Sequence, residues 1–188
     1  GVDDGVQTLE ESLKILEKLE DLGFETLWCT PHIMEDIPNE TKFLQERFSQ
    51  LKQAYKGSIQ LNLAAEYMID TVFNKRLLDK DLLPHGELKN HLLVETSYFN
   101  PPLNLDQTLK DIYSAGYYPL LAHPERYAYM TEEDYIKLKA EGIRFQLNLL
   151  SLKGMYGKMA QKKAEWILSK GFYDQVGSDI HSISQIHA

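Results

Sequence analysis

Residues 118–148 read YPLLAHPERYAYMTEEDYIKLKAEGIRFQLN. Tyr118 to Ala122 is a short apolar run of buried-strand length, and it ends at His123. Thr131 opens a helix as its N-cap, and Gly142 stops it. Ile143 to Leu147 is a second apolar run, ending at Asn148. Two buried strands joined through a helix form a βαβ unit, the crossover that parallel strands require.

The same alternation runs outward in both directions. Thr8 opens a first helix as a capping box with Glu11; Leu9, Leu13, Leu16 and Leu19 form its apolar stripe, and Gly23 stops it. Phe24 to Cys29 is a strand that leads into Thr30-Pro31-His32. A helix over Glu40–Tyr55 turns Phe43, Phe48 and Leu51 inward. Ile59, Leu61, Leu63 and Ala65 alternate as a strand running into Glu66, and a short helix covers Thr71–Leu78. His91 to Val94 leads to Glu95; Asn104 then caps a helix carrying Leu105, Leu109 and Ile112, which Gly116 stops. Downstream, a Lys-rich helix with Met159, Ala160, Trp166 and Ile167 stops at Gly171, and a strand over Phe172–Val176 leads to Ser178-Asp179-Ile180-His181.

About six strands alternating with helices predict an α/β fold with a parallel sheet. An open doubly wound sheet and a closed barrel both fit the pattern. No linker or charge block divides the chain, so one domain is expected over residues 1–188. The chain opens Gly-Val-Asp-Asp-Gly, with no initiator Met and no signal-peptide pattern. It is expected to be truncated at both ends, with an N-terminal strand cut off.

Composition narrows the function. At 43% hydrophobic and 26% charged, the chain is ordinary for a globular protein, and no apolar run has the length of a membrane span. Its net charge of −8 speaks against binding the nucleic-acid backbone. A single cysteine, Cys29, excludes an internal disulfide and suits the cytoplasm. Cys29 begins no Cys-x₅-Arg phosphate loop, because position 35 is Glu35; it reads as a small core residue of a strand. Neither a phosphate-binding glycine loop nor a Gly-x-Ser-x-Gly elbow is present.

In parallel α/β folds functional groups collect at the carboxyl ends of strands. Here those ends are His32, Glu66, Glu95, His123, Asn148 and Asp179-x-His181. Five of the six carry His, Asp or Glu, and all six converge on one rim whatever their separation in sequence. Mixed imidazoles and carboxylates suit Mn, Fe or Zn. Any one of them alone reads equally well as a strand cap or a surface pair. Glu66 follows an apolar strand, where a carboxylate is costly to bury unless paired or metal-bound. Asp3 and Asp4 precede the first helix, where one can complement the helix dipole while the other ligates. His85, His91 and His187 fall outside the pattern and read as surface or satisfied histidines. Arg126, three residues after His123, fits either a bidentate anion clamp or a surface salt bridge.

Together, Asp3-Asp4-Gly5, Thr30-Pro31-His32, Ala65-Glu66, Val94-Glu95, Ala122-His123-Pro124-Glu125-Arg126-Tyr127 and Ser178-Asp179-Ile180-His181 resemble the polymerase-and-histidinol-phosphatase (PHP) superfamily. Within it they are most similar to the bacterial CpsB/YwqE-type tyrosine-protein phosphatases of capsule and exopolysaccharide operons. The resemblance spans nearly the whole chain. It implies a distorted (β/α)7 barrel and a site of up to three metals, often Mn. On that pattern Asp4, His32 and His181 hold one metal, and Glu95 and His123 a second. Glu66 bridges the second to a third, which Asp179 also binds, and Arg126 sits over the substrate phosphate. The family's opening His-x-His strand and an Arg after the last Asp-x-His are both missing here, which points to a metal-poor or inactive fragment. The implied activity is metal-dependent phosphomonoester hydrolysis, with phosphotyrosine on a bacterial tyrosine kinase as substrate. The rival readings are a small-molecule phosphatase of the histidinol-phosphate kind and a non-catalytic binding module.

Overall fold

The computed structural model of the chain describes residues 1–187. Eight parallel strands fall into two sheets. β1 (Thr26–Cys29) pairs with β3 (Gln60–Leu63). A six-stranded sheet contains β2 (His32–Ile33), β4 (Glu66–Met68), β5 (His91–Glu95), β6 (Tyr118–Ala122), β7 (Arg144–Asn148) and β8 (Gln175–Gly177), in that order. Every neighbouring pair is parallel.

The order decides between the two architectures left open by the sequence. A doubly wound sheet reverses its strand order at a switch point, and this sheet does not. It also curls. Five spacings of about 4.8 Å would put the outer strands of a flat six-stranded sheet roughly 24 Å apart. Yet the rings of His32, on β2, and His181, just beyond β8, have centroids 6.0 Å apart. The result is a curled parallel half-barrel. Its two free edges, β1–β2 and β8, line a cavity of about 700 Å³.

The first expected strand ends at Cys29 as read; after Thr30-Pro31, where proline has no N–H to give to a ladder, a further short strand, β2, follows. The second expected strand breaks at Ala64-Ala65. Ala64 N–H still bonds Cys29 O, but Ala65 N–H turns to Leu83 O, and Glu66 N–H resumes pairing at Pro31 O. The chain thereby passes from the small sheet into the large one. The last strand begins later than expected, because Phe172 and Tyr173 pack against the main core instead of pairing.

The helices lie near their expected positions: α1 (Leu9–Asp21), α2 (Thr41–Ala54), α3 (Thr71–Asp79), α4 (Leu105–Ser114), α5 (Glu132–Ala140), the single turn α6 (Leu149–Leu152) and α7 (Gly157–Ser169). Gly23, Gly116, Gly142 and Gly171 each stand at positive φ just past a helix cap. Thr8 accepts from Glu11 N–H at 3.1 Å, but the full capping box is at Thr131–Asp134. Asn104 takes the α4 cap position without a side-chain bond, while Asp70, unforeseen, caps α3. On α2 Phe48 and Leu51 turn inward as expected and Leu44 is fully buried, but Phe43 is exposed. Among the described residues no helix is long and apolar enough to cross a membrane.

Alternation along the strands gives the large sheet two different faces. Ile33, Tyr67, Leu92, Val94, Leu121 and Phe145 face the main core with Phe73, Leu109, Ile112, Leu138 and Ile167 of the helices. The opposite face carries His32, Glu66, Leu93, Glu95, Leu120, Ala122 and Gln146 in register. Its apolar part is only the cluster Leu93, Leu120 and Ala122. A second core, built on Ile15, Leu16, Leu19, Ile59 and Leu61, packs α1 against the small sheet.

Candidate metal centre

The polar residues of the inner face gather at the carboxyl rim. His32 opens β2 and Glu66 opens β4, as direct register partners. Glu95 ends β5 and is level with Met68, two residues further along β4 than Glu66. His123 follows β6, and Asp179 and His181 follow β8. His123 and Asp179 hold left-handed backbone at φ 34° and 49°. Non-glycine residues there are strained by about 1–3 kcal/mol, a cost the surrounding structure must offset.

Two triads result: Asp4, His32 and His181, and Glu66, Glu95 and His123. Within each, one ligand-type atom per residue lies within 4.8 Å of the others. In the second, His123 Nε2 is 3.1 Å from Glu66 Oε1 and 3.6 Å from Glu95 Oε2. In the first, Asp4 Oδ1 is 3.6 Å from His32 Nε2 and 3.7 Å from His181 Nε2. His32 Nδ1 is also 3.7 Å from Glu95 Oε1, so His32 stands between the two.

The second triad is buried, and its charges are ill matched to burial. Glu66 is pushed up to about 7 by loss of water, partly opposed by His32. Glu95 is likewise pushed up to about 7 by burial, with the Glu66 charge adding to it. Burial, aided by the Arg126 charge, lowers His123 and keeps it neutral. Two carboxyls and a neutral imidazole around one point are the donor set that a divalent cation stabilises, since its charge favours both carboxylates. His181 fits the same chemistry. Its Nδ1 bonds the Asp179 carbonyl at 2.9 Å, which turns Nε2 toward Asp4. A second-partner bond of this kind fixes the tautomer of metal-binding histidines. Burial alone would lower His181, but the Asp179 carbonyl and the Asp179, Asp4 and Asp3 charges raise it. The residues present therefore fit divalent metals.

Asp179 belongs to neither triad. Its Oδ2 accepts from Arg126 Nη1 at 2.8 Å and from Asn148 Nδ2 at 2.9 Å; its Oδ1 lies 3.5 Å from His181 Nδ1. Arg126 lies on the same rim as expected, but neither as a free clamp nor in a surface salt bridge. Both partners are largely buried, and the guanidinium carbon lies 4.4 Å from the Tyr98 ring centroid and 4.0 Å from that of Tyr156.

Other residues differ from their sequence reading. Neither Asp3 nor Asp4 caps α1. Asp3 instead accepts from His32 N–H and Gly5 N–H, both at 3.0 Å, and so pins β2 to the N-terminal turn. His85 and His91 are buried, each with an unpartnered Nδ1, and His91 Nε2 meets the Arg144 guanidinium. His187 lies outside the residues whose side chains are described. Cys29 is on β1, but half-buried beside the cavity instead of in the core. Sequence reasoning passes over the roles of Asn148, Tyr98 and Tyr156. Asn148 ends a strand as the acids do, and that position is its only signal.

A curled parallel α/β sheet with imidazoles and carboxylates gathered at its carboxyl rim defines a barrel-type protein with a centre suited to divalent metals. The chain belongs to the CpsB/CapC family of capsular polysaccharide synthesis, whose profile matches residues 1–187. It is 27% identical over 188 residues to the tyrosine-protein phosphatase YwqE of Bacillus subtilis, covering 97% of this chain and 74% of the relative. It is 27% identical over 197 residues to the tyrosine-protein phosphatase CpsB of Streptococcus pneumoniae, covering 97% and 79%. In structure it superposes with a TM-score of 0.87, at 23% identity, on a crystal structure from work on YwqE and CpsB as metal-dependent tyrosine phosphatases, covering 99% of this chain and 77% of the other.

Proposed function

We propose that this chain is a metal-dependent protein-tyrosine phosphatase acting on a tyrosine kinase of capsule or exopolysaccharide synthesis, in the cytoplasm. The observation that carries the reading is the pair of triads on one rim, beside a mostly buried arginine. Asp4, His32 and His181 hold one ion; Glu66, Glu95 and His123 hold a second. Asp179, whose Oδ1 faces His181, would hold a third ion together with Glu66. Mn is the expected metal, with Fe or Zn as substitutes. The ions supply Lewis acidity and an activated water.

The chain's own residues do the rest. Arg126 binds the phosphoryl oxygens through its planar pair of N–H groups. Tyr98 and Tyr156 flank that guanidinium and exclude water from its faces. A phenolate leaving group, with a pKa of about 10, needs little help from a general acid. With β1–β2 and β3–β4 each counted as one interrupted strand, the described strands number six, and the two edges facing each other across the cavity support a seventh between β8 and β1, completing a (β/α)7 barrel. Asp4 and His181, from opposite ends of the chain, share one triad, which supports a single domain.

The test is turnover of a phosphotyrosine peptide and of histidinol phosphate by chelator-stripped protein given back Mn²⁺. The expected result is Mn²⁺-dependent release of phosphate, with the peptide preferred. Preference for histidinol phosphate makes it a small-molecule phosphatase. Release of phosphate from neither substrate, with Mn²⁺ bound, overturns the reading.

A further inference from the structure

We propose that Asn148 is a positioning residue: its side-chain amide fixes the Asp179 carboxylate and, through it, His181. This rests on the metal-site reading above. Asn148 is 2% exposed, and both of its side-chain polar atoms are hydrogen-bonded. Oδ1 accepts from Leu150 N–H at 2.9 Å, at the start of α6. Nδ2 donates to Asp179 Oδ2 at 2.9 Å and to the Tyr156 hydroxyl at 3.3 Å. The orientation of the amide follows from these partners. A flipped amide would set its oxygen against the carboxylate and its N–H₂ against the Leu150 N–H.

The residue type is demanded by this double role. Aspartate can accept at Leu150 but has no N–H for Asp179. Serine can cap the turn but is too short to reach both. The Asn148 backbone is itself held, its N–H donating to the buried Glu125 Oε1 at 3.1 Å, and Glu125 Oε2 accepts from the Tyr173 hydroxyl at 3.0 Å. The donor is therefore anchored in the sheet, while Asp179 lies on a loop with a left-handed backbone of φ 49°. Arg126 bonds the same Oδ2, so that oxygen is occupied twice and Oδ1 is left toward His181. The Asp179 main-chain oxygen holds His181 Nδ1. One amide thus orients a carboxylate and an imidazole at the open end of the site.

Groups that orient a metal ligand typically change metal affinity by about 10–100-fold when removed. The experiment is equilibrium dialysis of the chelator-stripped protein against Mn²⁺, comparing wild type, Asn148→Ser and Asp179→Asn. Asn148→Ser keeps a cap for Leu150. It is expected to bind Mn²⁺ about 10–100-fold more weakly, with a thermal midpoint close to wild type without metal, and to recover peptide turnover in excess Mn²⁺. Wild-type affinity in Asn148→Ser, with weakened binding in Asp179→Asn, overturns the inference and leaves the metal-site reading intact. Wild-type affinity in Asp179→Asn overturns both. Should Asn148→Ser not fold, Asn148→Asp keeps the shape and the cap without the N–H; weakened binding supports the inference, and wild-type or tighter binding overturns it.

Discussion

Glu66→Gln should make the metal-free protein more stable while abolishing the site. Glu66 lies in the buried triad with a carboxyl pushed up to about 7, chiefly by burial. In the unfolded chain it ionises near its ordinary value. Between those two values the folded state binds the extra proton, so stability falls as pH rises from about 4.5 to about 7 and is flat above. A tenfold change in proton affinity corresponds to about 1.4 kcal/mol, which places the cost of the ionised Glu66 at pH 8 at about 3 kcal/mol. Glutamine removes that cost and retains a neutral partner for His123, losing about 1 kcal/mol of charge-assisted bonding. It also relieves Glu95, which the Glu66 charge pushes upward. The net expectation without metal is a gain of about 2 kcal/mol at pH 8, or about 4–8 °C in thermal midpoint. The gain should shrink toward zero as pH approaches 4.5. Guanidinium unfolding in chelator at pH 5 and pH 8 reads both numbers. A Glu66→Gln protein that is less stable than wild type at pH 8, or equally shifted at both pH values, would refute the electrostatic reasoning.

Arg126→Ala should lower kcat/KM on a phosphotyrosine peptide by roughly one to three orders of magnitude, and Arg126→Lys should not restore it. Its thermal midpoint should fall too, because the guanidinium bridges Asp179 and two tyrosine rings; unchanged activity would return Arg126 to a structural ion pair. Asp3→Ala frees the His32 and Gly5 N–H groups and should cost about 1–3 kcal/mol in denaturant unfolding, with weaker Mn²⁺ binding. Unchanged Mn²⁺ affinity would show that His32 needs no backbone anchor. Tyr127→Phe removes a buried hydroxyl that accepts from Thr96 N–H and donates to Ala122 O, and should cost about 1–3 kcal/mol by the same measurement; a neutral result would mean that water replaces it.

Much of this site was legible because strand ends in a parallel sheet share one rim, so apolar runs ending in His or Glu announce a cluster before any coordinates exist. His32, Glu66, Glu95, His123 and His181 were found in this way. Barrel and doubly wound sheets, however, have the same alternation; they differ in strand order, which alternation does not encode. The break at Ala64-Ala65 follows from where individual N–H groups bond, and an apolar run does not reveal that. Asn148 and Asp3 were missed as partners because an amide or carboxylate that holds another residue has no spacing rule. Tyr98 and Tyr156 look like core aromatics until the Arg126 side chain is seen between them.

Anomalous scattering from Mn²⁺-soaked crystals tests the central claim most directly. The account predicts one peak amid Asp4, His32 and His181, another amid Glu66, Glu95 and His123, and a third between Asp179 and Glu66. Peaks confined to other parts of the molecule, with both triads still bonded only to one another, would contradict it.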